Sequence, residues 1–127
     1  MAALGPRPAG LSFRETLERH LAAIRSRDLA ALADTVAEDD LVLIGADGRL
    51  ARTPREFLDA HRAWFDTPGW TLDVTPEVIY ETAEMAVAVL RLLYREGNVK
   101  QPSLLTLVFK KKADRWLMVL DQNTPIK

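Results

Sequence analysis

The sequence predicts an α+β fold: helices first, then one curved, mainly antiparallel sheet. Three observations carry this. Apolar residues recur at helical spacing in the first third of the chain, and Val, Thr, Ile and aromatic residues crowd the last half. Two helix starts carry complete capping signatures. The gaps between the late strand segments are short, which makes neighbouring strands antiparallel.

Each element follows in order. Ser12 with Glu15 is a capping box, and Phe13, Leu17, Leu21 and Ile24 form one apolar stripe, so residues 12–26 hold the first helix. Asp28 caps a short second helix from Leu29 to about Val36. Residues 41–44 form a short strand, and Asp47-Gly48 supplies turn chemistry for residues 49–51 to pair back. Thr53, Pro54 and Glu56 start a third helix with Phe57, Leu58, His61, Trp64 and Phe65 on one side; Pro68-Gly69 ends it. Four long strands follow over residues 70–81, 85–95, 104–109 and 116–124. Residues 1–10, with two prolines and two glycines, read as a flexible tail ahead of a single domain over 11–127.

Composition excludes several classes. The chain has 127 residues, enough for one core and too few for two. Its 17 basic against 18 acidic residues give a net charge of −1, which does not hold nucleic acid by bulk charge. With no cysteine there is no disulfide, thiolate metal site or Cys nucleophile, and two histidines do not make a His-rich metal site. No cofactor is expected. The longest apolar runs, such as residues 85–90, fall far short of the roughly 20 residues of a membrane span. The expectation is a cytoplasmic protein without a membrane partner.

The late strands are apolar on both faces. Trp116, Met118 and Leu120 alternate with Leu117 and Val119; Leu104 and Val108 alternate with Leu105, Leu107 and Phe109. A sheet with one wet face alternates polar with apolar. Three helices cover one side, so a second copy of the chain is expected on the other.

The order helix, helix, hairpin, helix, four strands resembles the nuclear transport factor 2-like superfamily, and within it the SnoaL-like and SgcJ/EcaC-type small proteins. Three features carry the resemblance over residues 11–125. They are the Arg27-Asp28 step, the Asp47-Gly48 hairpin before a capped helix, and a last strand running from Trp116 to a polar Gln122-Asn123-Thr124 end. The resemblance implies a cystatin-like cone with an interior cavity and a dimer across the sheet. It does not imply one activity, since the superfamily holds isomerases, dehydratases, cyclases, epoxide hydrolases and non-catalytic modules.

Candidate residues follow from chemistry and from that resemblance. His61 lies on the apolar side of the third helix, either as an acid/base or ligand contact, or as a histidine satisfied by a backbone carbonyl. His20 sits at the edge of its helix stripe and is expected half-exposed. Asp121 interrupts an apolar strand; desolvated, it would become a base. Period-2 counting puts Asp121 with Leu117 and Val119, however, and the resemblance then implies that Gln122 lines the cavity. Trp64 and Tyr94 are expected as cavity walls. Asp73, Arg91 and Asp121 could imitate an Asp–Arg–Asp epoxide-hydrolase set only if a bulge at Pro76 brings the first two to one face. The run Lys110-Lys111-Lys112 reads as a solubility device at a strand end.

These readings give a homodimer that binds a small apolar molecule through Trp64, Tyr94, Gln122 and His61. Its chemistry would be cofactor-free isomerase-, cyclase- or dehydratase-like, with His61 and Asp121 as catalytic candidates. The rivals are a non-catalytic dimerisation module with a filled interior, and the epoxide-hydrolase-like enzyme.

Overall fold

The computed structural model describes residues 10–127. The tail expected over 1–10 lies outside the described residues except for Gly10, whose amide donates to the Asp114 carbonyl at 3.2 Å.

Helix α1 (Phe13–Arg25) starts on Ser12, where the reciprocal Ser12–Glu15 capping box is complete. Its stripe of Phe13, Leu17, Leu21 and Ile24 is buried. Helix α2 (Leu29–Ala33) is capped by Asp28 and ends sooner than the apolar spacing suggests. The reason is a competing partner: the Ala37 amide donates to Met118, and the Met118 amide donates to Thr35, so this stretch bridges to a strand. Helix α3 (Pro54–Phe65) is capped by Thr53 with Pro at its start.

The strands are β1 (Val42–Ile44), β2 (Leu50–Ala51), β3 (Trp70–Glu81), β4 (Met85–Glu96), β5 (Val99–Lys112) and β6 (Arg115–Pro125). They form one sheet in the order β2-β1-β6-β5-β4-β3. All pairs are antiparallel except β1 with β6, which run parallel because α3 and the meander intervene between them.

One face of the sheet holds the core. Ala86, Ala88, Leu90 and Leu92 of β4 pair with Phe109, Leu107, Leu105 and Ser103 of β5, and all eight are buried. Phe13 packs edge-on against Phe109 and Trp116, with centroids 5.3 and 5.7 Å apart. The opposite face is drier than a solvent face should be. Val87, Val89, Leu104, Val108 and Leu120 are only partly covered there, and Val78 and Tyr80 are exposed.

Two bulges break the simple alternation. In β3 the register shifts between Pro76 and Val78, leaving Glu77 unpaired. In β6, Val108 pairs with Leu120 and Phe109 with Met118, so Val119 is the extra residue. Trp116 and Met118 therefore face the core, and beyond the bulge Asp121 and Asn123 face it too.

Candidate functional site

A cavity lies between the helices and the inner sheet face. Its inner lobe, about 160 Å³, is walled by apolar residues such as Leu43, Leu92 and Leu105 and carries the polar side chains of His61, Asp121 and Asn123. An outer lobe of about 370 Å³ adds Tyr94, Gln101 and Ser103. The lobes share Trp64, Leu72, Leu92 and Asn123. An apolar cavity near 150 Å³ takes one benzene-sized ring, and pockets for small molecules start near 300 Å³. The interior is not filled by its own side chains.

Asp121 is 4% exposed and, among the described residues, has no ion pair or side-chain hydrogen bond. Burial alone pushes its carboxyl up to about 7. Period-2 counting groups it with Leu117 and Val119, and the family resemblance then implies that Gln122 lines the cavity while Asp121 belongs to the dimer side or the strand end. The structure reverses both: Gln122 is exposed on the outer face, paired with Thr106 and Ile44. The cause is the bulge at Val119, which turns every later side chain of β6 over.

His61 reaches the cavity and is also satisfied by a backbone carbonyl. Its Nδ1 is 2.8 Å from the Phe57 carbonyl, which can only accept. The proton therefore sits on Nδ1, and Nε2 is left as an acceptor. Burial pushes the imidazole below its ordinary range, partly offset by the Phe57 contact, so the ring is neutral near pH 7. His20, expected half-exposed, is fully buried. Its Nδ1 donates to Thr35 Oγ1 at 2.8 Å, and Thr35 in turn donates to the Leu32 carbonyl. Burial and the neighbouring His61 hold it down near 3, so it stays neutral.

Trp64 and Tyr94 line the cavity with their rings. The Tyr94 hydroxyl is taken by Glu96 at 2.5 Å. Behind them Trp70, 1% exposed, stacks on Trp64 with centroids 4.3 Å apart and planes at 18°, and its Nε1–H donates to the Trp64 carbonyl at 3.0 Å. Arg27 places its guanidinium 3.9 Å from the Trp70 ring centroid and donates to the Trp70 carbonyl.

The Asp–Arg–Asp set does not assemble. The bulge at Glu77 does bring Asp73 and Arg91 to one face, with Arg91 opposite Thr75 and Asp73 opposite Leu93. That face is the outer one: Arg91 pairs with Glu77 and Arg95 with Asp73, while Asp121 faces the cavity. Among the described residues no group of three or more His, Cys, Asp or Glu is placed to hold a metal ion, and no helix is long and apolar enough to cross a membrane.

Asn123 was the polar wall residue missed by sequence reasoning. Its Oδ1 is buried without a partner among the described residues. A polar residue two positions beyond Asp121 was the available signal, hidden by the same bulge.

The architecture is that of a nuclear transport factor 2-like, cystatin-like cone. A candidate calcium/calmodulin-dependent protein kinase type II association domain from Thiobacillus denitrificans superposes with a TM-score of 0.82 at 22% identity, covering 94% of this chain and 99% of its own. An NTF-2 like protein of unknown function from Shewanella oneidensis gives 0.74 at 22% identity, over 87% and 94%. An uncharacterised cystatin-like protein from Caulobacter vibrioides gives 0.77 at 18%, over 90% and 87%. These likenesses show the fold. A comparison with curated proteins gave no match. The chain belongs to the SnoaL-like domain family, whose model matches residues 14–122.

Proposed function

We propose that the protein is a cofactor-free acid/base enzyme acting on a small, largely apolar compound held in the cavity, in the manner of an isomerase, cyclase or dehydratase. The observation that carries this is Asp121: a buried, unpaired carboxyl in an apolar cavity. Its burial moves it to about 7, where a general base works best. An unpaired buried carboxylate destabilises the fold, and a structural role gives no reason to keep one. In this reading the Asp121 carboxylate takes a proton from a carbon beside a carbonyl and returns it to a second position. The Asn123 amide stands in the same wall to hydrogen-bond the oxygen, and neutral His61 accepts through Nε2.

Deuterium uptake at the α-carbons of single-ring enones in D2O, with cyclohex-2-enone as first probe, tests the proposal. Asp121→Asn should lose a factor of about 10² to 10⁴ over wild type. Equal exchange by wild type and variant would overturn it.

The protein acts as a homodimer through the outer sheet face in this proposal, supported by the partly covered Val87, Val89, Leu104, Val108 and Leu120. Sedimentation should show a dimer for wild type and a folded monomer for Val89→Glu combined with Leu104→Glu. A wild-type monomer contradicts this part.

A further inference from the structure

The end of α1 carries an unusual residue. Arg27 has φ +57°, the left-handed region where glycine is the ordinary choice. The hydrogen bonds around it are those of a glycine-type helix ending: the Arg27 amide donates to Ile24 at 3.1 Å and the Asp28 amide to Ala23 at 2.9 Å. A long side chain at this position strains the backbone without improving the cap. Its benefit lies in what the guanidinium touches, the ring and carbonyl of Trp70. Trp70 in turn stacks on Trp64 and bonds its carbonyl. Trp64 is the aromatic side chain common to both lobes of the cavity.

We infer that Arg27 is a positioning residue of the ligand site. Through Trp70 it holds the Trp64 indole at the junction of the two lobes, and so sets how well the cavity receives a ligand that extends beyond the inner lobe. This rests on the cavity being a ligand site. His61 and Asp121 belong to the inner lobe alone, so a ligand anchored by them there leans less on the Trp64 wall and is less sensitive to Arg27. A ligand that extends past Trp64 needs that wall fixed in advance; otherwise the indole must be immobilised on binding.

The test uses two probes as a ruler: phenol, which fits the inner lobe, and 4-phenylphenol, which must pass Trp64. Arg27→Gly removes the guanidinium while giving the left-handed position its preferred residue, so α1 keeps its cap and thermal unfolding confirms the fold. The expected result is 4-phenylphenol binding weakened about fivefold with phenol changed less than about twofold. Arg27→Lys, which keeps a cation for the Trp70 ring, should restore part of the difference. Equal changes for the two probes, or none, in folded Arg27→Gly overturns the inference alone. If wild type binds neither probe, the ligand-site reading falls with it.

Discussion

Replacing Asp121 by Asn should stabilise the protein, and by an amount that depends on pH. The folded carboxyl sits near 7 against 3.8 for the free group. The folded state therefore holds a proton that the unfolded chain releases between those values, and stability falls as pH rises from 4 to 7. The shift is about three units at about 1.4 kcal/mol each, so on the order of 2–4 kcal/mol once water in the cavity is allowed for. Asparagine has a similar shape and no charge to bury. Wild type alone would hide the effect. Buried His20, held near 3 against 6.5, works with the opposite sign, as stability falls when pH drops below 6.5. The difference between variant and wild type removes that contribution. Urea unfolding at half-unit steps from pH 4 to 8 should show a gain for Asp121→Asn that is near zero at pH 4, rises through neutrality and levels off above pH 7. A gain that is flat across the range refutes the claim that burial has shifted this carboxyl.

Other expectations follow from single contacts. His20→Gln keeps a donor for Thr35 without a titrating ring, so the loss of stability on acidification from pH 6.5 to 4 should shrink in urea unfolding. Ala113 turns between β5 and β6 at φ +58°, and Ala113→Gly should stabilise by about 1 kcal/mol in the same assay. Leu107 is fully buried against Ala88 and Asp121 in the sheet register, and Leu107→Ala should cost about 2–5 kcal/mol of unfolding free energy. That loss should appear as a lower urea midpoint.

Much of the fold was legible because its signals are local. Ser12 and Thr53 name their helix starts through bonds to residues three positions on, and Asp47-Gly48 names its turn. The early end of α2 was not legible, since the residues after Ala33 leave the helix for Met118, far away in the chain. Neither was the parallel pairing of β1 with β6. Within the site, helix spacing sets Trp64 and His61 on one side of α3, which is regular up to Asp66. One residue of boundary error turns a side chain about 100° around a helix, however, so spacing alone leaves open whether His61 reaches the cavity. Asp121 and Gln122 exchanged faces because alternation was counted straight through Val119. A bulge there depends on how β5 and β6 close around the core, and nothing in the local sequence marks it. The bulge in β3 had such a mark in Pro76, which cannot donate to the ladder.

The ionisation of Asp121 can be observed directly. With carboxyl-¹³C aspartate incorporated and Asp121→Asn used to assign the signal, the titration of Asp121 is read by NMR in the folded protein. A midpoint near 7 is the predicted result, with the carboxyl buried, unpaired and set for proton transfer at neutral pH. A midpoint near 4 would mean that Asp121 is solvated or paired, and the cavity would lose its base.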